Sequence, residues 1–493
     1  MRYNFVKYTL VSACLLADTG VFASPDDFYD DFLKEALEQY NGFRDSLNKE
    51  YAEFLTQPWT AGKLRPAVRK KDEPPVPVRH DGERDMVYDD MEYDFDEVTP
   101  VVSPEPQPHP VEPIPEVVID RPVVTSVSFF GTPLDFTLDW NLRLSWNVAD
   151  ESGVGAYWNY LSRSAGATKL LSELLGYRES VNLSDWGYYR LVESLAGKLI
   201  KDRDVSRLFT AWAMAQSGYA VRLAFADSGE LMVLLGSDDI IYEVCGLRLD
   251  GLNYYYFHDK PSAETMRFAG KDFPGSRPFS VRKETLPRLA FESAGRKSLS
   301  VKHYPEIKIE MEANKNLLDY YASVPRSSAK EKWYTQWTQY ADTPLSDRNK
   351  DLIYPVLRKA IAGKSEHEAA DIIIDLCESF DYKLDDEMWG HDRAFYPDET
   401  LHYFYSDCED HAILFTRLIR DLLGLQTGLI YYPGHLAALV VFNESVSGDY
   451  YEYQGKRWVV CDPTYFYVGV GKQAPNVDTS KAVLIPFPKK ISE

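Results

Sequence analysis

Basic residues are scarce in this 493-residue chain, where 54 Lys and Arg face 76 Asp and Glu for a formal net charge of -22. Nucleic acids and anionic membranes are gripped through basic faces, so neither is an expected partner. Long apolar runs are missing too. The run from Tyr8 to Ala17 falls well short of the roughly 20 residues a membrane-spanning helix needs, and no transmembrane helix is expected. Cysteine is sparse: Cys14, Cys245, Cys377, Cys408 and Cys461 are spaced too widely for a small disulfide-stapled domain, and no CxxC pair occurs. HEAAD at 367–371 lacks the second His of HExxH, and no DxDxDG calcium loop is present, so neither a metal nor a cofactor is expected.

What remains is ample material for packed cores, with 45% hydrophobic residues and 34 Tyr. At roughly 150 residues per domain the length implies two or three folded units. Residues 1–23 carry Arg2 and Lys7 ahead of the apolar run and small Ala23 before Ser24, the pattern of an export signal. The protein is therefore expected in a periplasm, outside the cell or on its surface. A second reading of the same segment takes VSAC as a lipoprotein signal, with Cys14 bearing the lipid.

Residues 24–59 form an arm in which Phe28, Phe32, Ala36, Tyr40, Phe43, Leu47, Tyr51 and Phe54 recur every three or four positions. That spacing predicts one amphipathic helix over 28–54, which either docks a partner or packs on the main body. Residues 60–122, with EPPVPV, an acidic stretch and SPEPQPHPVEPIP, read as an extended linker. A globular pattern starts at 123. Strand-like VVTSVSFFG and FTLDWNLRLSW precede helical stretches within a unit at 123–285, a β-rich connection covers 286–345, and a last domain occupies 346–493.

In that last domain SDCEDHAILFTRLIRDLLG has the Ser406 and Glu409 spacing of a capping box and a stop at Gly424, which puts Cys408 in the first turn of a helix. Helix N-termini favour thiolate, the nucleophilic form, while Asp407, Glu409 and Asp410 oppose it, so a partner imidazolium is required. Two β runs follow, joined by Pro433 and Gly434, and His435 opens the second. RWVVCDPTY then ends a strand at Asp462 before a proline that breaks it. A carboxylate on one imidazole nitrogen fixes the tautomer that lets the other take the thiol proton. His411 is the rival base, but on the Cys408 helix itself it would lie beside the site rather than over it. Cys461, next to Asp462 on a strand, should face away into the core, with a bridge to Cys377 as an alternative. The Cys408 backbone N–H is one natural oxyanion donor, and Trp389, His402 or Tyr403 could supply a second.

SDCEDHA, GHLAALV and WVVCDPTY resemble the Cys, His and Asp blocks of the transglutaminase-like superfamily over roughly 345–470. The resemblance implies an α+β, papain-like core with the Cys helix packed on an antiparallel sheet, and thioester chemistry on protein or peptide amides by Cys408, His435 and Asp462. Upstream, RLFTAWAMAQSGYAVRLAF at 207–225 can be laid on 413–431 without a gap. Extended, that alignment sets Asp202 at the Cys408 position and Gly229 at His435, and a two-residue shift sets His258 at Asp462. The region would then be a degenerate second copy without a triad. The expected protein is an exported thiol enzyme for acyl transfer or amide hydrolysis. The alternative is a cell-surface binding or assembly protein whose triad is vestigial.

Overall fold

The computed structural model describes residues 25–68, 89–99, 117–258, 265–282, 285–330 and 332–488. Both export readings, at 1–23 and at Cys14, lie outside them. Helix α1 (Pro25–Leu55) contains the predicted stripe, and its C-terminal part is packed rather than free. Tyr51 and Leu55 are buried, with the Tyr51 ring 4.9 Å from Trp158 and 5.4 Å from Phe273. The helices come so close that a Cβ on Gly155 would lie 2.6 Å from the Ala52 carbonyl oxygen. For that half of the arm, packing on the body replaces the docking expectation.

Parts of the expected linker are structural. Strand β1 (Thr60–Lys63) joins one sheet, while β2 (Met91–Tyr93) and β3 (Glu97–Val98) close the two edges of another. Residues 69–88 and 100–116 lie outside the described set. A hairpin, β4 (Pro122–Phe129) and β5 (Thr132–Asp139), leads into helices α2 (Glu151–Ser162), α3 (Ala165–Ser180), α4 (Asp185–Leu199) and α5 (Arg203–Gln216). Each starts on a side-chain cap, from Asp150, Ser164, Ser184 and Asp202 respectively, which supplies an acceptor for otherwise unpaired N–H groups. Then come β6 (Val221–Ala226), β7 (Leu231–Ser237), β8 (Asp239–Ile241), β9 (Cys245–Leu249), β10 (Leu252–Tyr256) and β11 (Thr265–Phe268). The connecting region holds a ribbon of β12 (Ser293–Ser300) and β13 (Lys308–Asn314), helix α6 (Lys315–Tyr321), β14 (Ser327–Ala329) and the short helix α7 (Thr338–Asp342).

The last part contains α8 (Asp347–Ile361), α9 (Glu366–Glu378), β15 (Asp381–Tyr382), α10 (Asp385–Met388), α11 (Pro397–Tyr403), β16 (Tyr405–Ser406) and α12 (Cys408–Leu422). Strands β17 (Gln426–Tyr432), β18 (His435–Val441), β19 (Asp449–Tyr453), β20 (Lys456–Cys461) and β21 (Val483–Pro486) complete it. The molecule is a mixed α+β protein built on antiparallel sheets.

The two large sheets share one plan. The order β11-β6-β7-β10-β9 matches β21-β17-β18-β20-β19, with every neighbouring pair antiparallel and a helix, α5 or α12, leading into the second strand of each list. Near-continuous burial on β6, β7, β17 and β18 reflects sheets covered on both faces.

Candidate active site

Helix α12 begins one residue later than the capping-box spacing predicts. Asp407 is the N-cap and Asp410 the reciprocal partner, which makes Cys408 the first helical residue. The residues Cys408 to Ile419 are all buried, so the helix runs beneath the sheet rather than along the surface. Hairpin β17–β18 turns on Pro433 and Gly434, where φ of +77° suits glycine, and Tyr432 pairs with His435 across the turn. The Tyr432 and His435 rings stack 6.2 Å apart at 13°, which fixes the imidazole plane.

His435 Nε2 lies 2.7 Å from Asp462 Oδ2, and both side chains are 1% exposed. Burial alone would raise the Asp462 pKa. The His435 charge and hydrogen bond, with donations from the Thr464 N–H and hydroxyl, prevail and hold it below the ordinary carboxylate value. An ionised Asp462 keeps the proton on Nε2 and leaves Nδ1 as the basic nitrogen. That Nδ1 is buried with no hydrogen-bond partner. Cys408 sits alongside, close enough that the Leu436 backbone N–H acts on its sulfur.

The thiol itself departs from the expectation drawn from helix position. Burial pushes the Cys408 pKa well above the ordinary thiol value, and the charges of Glu409 and Asp407 add to that. Cys408 Sγ donates to Glu409 Oε2 at 3.2 Å. Burial, with the charges of Glu409 and Asp407, outweighs the first turn of α12, so the resting form is a neutral thiol held by Glu409. His411 is a poor base: buried, with Nδ1 3.4 Å from the Pro463 carbonyl oxygen, its pKa falls to about 4, mainly through burial.

Trp389 and Tyr403 pack around Arg393 and Phe395, and the His402 carbonyl takes the Lys297 ammonium. Tyr382 is an aromatic side chain that feels the charges of the site. Burial first, then the charges of Cys408, Asp407, Glu409 and Asp462, push its phenol pKa far up, so it remains a hydrogen-bond donor. It arrives through the parallel pairing of β15 with β16, which aligns Tyr382 with Ser406 two residues before Cys408. Phe466 closes the other side, 6.1 Å from the Tyr382 ring and 6.2 Å from His411. Cys461 and Cys377 are buried free thiols, so the alternative of a bridge is excluded.

Beside Cys408, ligand oxygens of Asp385, Asp407 and Asp410 lie within 4.8 Å of one another, as do those of Asp385, Asp392 and Glu409. Burial and then mutual repulsion raise the Asp407 and Asp410 pKa values well above normal, and Asp407 Oδ1 has no hydrogen-bond partner. Carboxylates this close share either protons or a cation, and an all-oxygen set suits a hard divalent ion. Linear motifs gave no hint of it, because the donors come from two segments, 385–392 and 407–410.

In the first sheet, Ala226 N donates to the Glu230 carbonyl as Tyr432 pairs with His435, so Glu230 holds the register place of His435. Gly229 lies in the turn. Continuing the β7–β10 and β18–β20 registers sets His258 opposite Met232 and Asp462 opposite Ala437, so His258 does hold the Asp462 place. Asp202 caps α5 as Asp407 caps α12. No family model, no curated protein and no solved structure matches the chain.

Proposed function

We propose that the chain is a transglutaminase-like thiol enzyme, exported from the cell, that transfers or hydrolyses acyl groups of protein or peptide amides. The observation that carries this is the buried His435–Asp462 pair, 2.7 Å apart, whose Nδ1 is unpartnered and whose strand neighbour Leu436 lends its backbone N–H to the Cys408 sulfur. The Cys408 thiol swings from Glu409 to His435 when substrate enters. Its sulfur attacks the amide carbonyl while the proton passes to Nδ1, the C–N bond breaks as that proton moves to the leaving amine, and a thioester remains. Water or an amine then resolves the thioester. The Cys408 N–H and the Tyr382 hydroxyl face the developing oxyanion.

The shared strand order and register support a fold used twice, with Glu230 and His258 in the first unit at the places of His435 and Asp462, and Asp202 at the N-cap place of Asp407 rather than that of Cys408. That trio has no thiol. A cell-surface binding or assembly protein whose triad is vestigial is the competing reading, favoured by the burial and raised pKa of Cys408. Incubation with a peptide-amide electrophile followed by mass mapping separates the two. Stoichiometric modification at Cys408 that His435→Ala abolishes is expected, and no modification at Cys408 under any condition that labels the denatured chain would refute the enzyme.

A further inference from the structure

The two acid trios at the start of α12 have Asp385 in common, so Asp385, Asp392, Asp407, Glu409 and Asp410 make one connected group. Asp385, Asp407, Glu409 and Asp410 are buried. Asp392 is only half-buried, on the part-exposed segment 386–392, and opens the group to solvent.

A buried carboxylate is costly unless something meets its charge. Asp392 has Arg326, 2.8 Å away, and Arg393 pairs with Glu399. No Lys, Arg or His among the described residues comes within ion-pair reach of Asp407, Glu409 or Asp410. Backbone N–H groups cover part of the set, since Phe395 donates to Asp410 Oδ1 at 2.7 Å and Arg393 to Asp385 Oδ2. Neutral donors leave the net charge in place. Asp407 lacks even that for one oxygen: the residue is 3% exposed, its carboxylate turns into the trio with Asp385 and Asp410, and Oδ1 has no hydrogen-bond partner. The charges acting on Asp407 are those of Glu409, Asp410 and Asp385, all repulsive.

The geometry points to a cation site, and we propose that Asp385, Asp407 and Asp410 together bind one hard divalent cation, with Glu409 and Asp392 on the side from which it enters. Hard cations select carboxylate oxygens over the neighbouring Cys408 sulfur. Ca²⁺ suits the place better than Mg²⁺, because it accepts irregular oxygen sets, whereas Mg²⁺ keeps several waters that a buried trio of carboxylates has little room for. The site rests on these carboxylates and not on the enzyme reading.

Calorimetric titration of the chelator-stripped full chain with CaCl2 tests this. The expected result is one saturable site per chain, with Mg²⁺ at least about tenfold weaker. Asp385→Asn should lose at least about tenfold, because ligand charge sets affinity. Asp386→Asn/Glu387→Gln removes two exposed charges from the same short helix and is expected to bind as the parent does, as is Cys408→Ala. Urea titrations with and without Ca²⁺ report the folding of each variant, and Asp407→Asn, which keeps the N-cap, serves in place of an Asp385→Asn chain that does not fold. No saturable binding of either cation to the parent would overturn the proposal and leave protons to satisfy the acids. Undiminished binding in Asp385→Asn, or equal loss in the exposed double variant, would overturn it as well. Cation binding in a chain whose Cys408 never reacts would leave the site standing and remove the enzyme.

Discussion

Asp462→Asn puts the triad to its sharpest test, because the structure fixes what the new amide would do. Asp462 Oδ1 accepts from Thr464 N at 3.0 Å and from its hydroxyl at 2.9 Å, so the Asn oxygen must stay on that side. The NH2 group then faces His435 Nε2, which becomes an acceptor, and the proton moves to Nδ1. A protonated Nδ1 cannot take the thiol proton. In buried carboxylate–imidazole pairs such a reversal lowers turnover by roughly four orders of magnitude, about 5.5 kcal/mol of barrier at some 1.4 kcal/mol per decade. The fold loses only a charge-assisted hydrogen bond, about 1.5–3 kcal/mol. Single-turnover acylation by an activated ester, beside a urea titration, reads both quantities. Nitrogen-resolved NMR of the His435 ring should show the tautomer change. Acylation within tenfold of wild type in a folded Asp462→Asn protein would refute the reasoning.

In the native chain iodoacetamide should modify half-buried Cys245 before Cys408, because the Cys408 thiol is buried and held by Glu409; Glu409→Gln should speed Cys408 alkylation, and mass mapping over time reads the order. With chelator present, Asp407→Asn retains the N-cap and removes one repelling carboxylate, so its urea midpoint should rise relative to wild type as pH goes from 5 to 8. A falling midpoint would show the charges to be compensated. Buried His411, with its pKa near 4, is neutral when folded, so its contribution, roughly 3 kcal/mol, is present above pH 6.5 and lost as pH falls toward 4. Glu399 runs the other way. Burial raises its pKa from 4.5 to about 7 despite Arg393, so stability of similar size is lost as pH rises through that range. Urea midpoints across the interval should therefore tilt up with pH in Glu399→Gln and down in His411→Asn, and parallel curves would contradict both assignments.

The order helix, strand, strand around Cys408, His435 and Asp462 was legible because each element carries its own punctuation. Acids cap α12, Gly424 follows its end, Pro433 and Gly434 make the hairpin, and Pro463 stops β20. Those signals are local. Tyr382 and Asp385 were illegible for the opposite reason, since a two-residue parallel pairing, Asp381 with Tyr405 and Tyr382 with Ser406, brings them to the site. No periodicity marks a strand of two residues. The strands within 60–122 escaped similarly: Thr60–Lys63, Met91–Tyr93 and Glu97–Val98 are mostly exposed edge strands whose pairing is backbone to backbone, so their side chains carry no apolar alternation.

The shared strand order of the two large sheets shows how far an ungapped alignment can carry a site assignment. It holds from the end of the helix through the end of the first strand, where α5 and α12 end at Gln216 and Leu422 and β6 and β17 end at Ala226 and Tyr432 with the same offset, whereas the helix starts at Arg203 and Cys408 are one residue out of step with it. The hairpin then differs. Residues 227–229 span the first turn and 433–434 the second, so one added residue moves the His435 place from Gly229 to Glu230. This one-residue change alters the chemistry. A glycine would have left a gap, whereas Glu230 holds Arg207 and Arg203, and those cations add to burial in lowering the His258 pKa. The absence of a thiol–imidazole pair in the first unit and the presence of its ion pairs thus rest on the same positions.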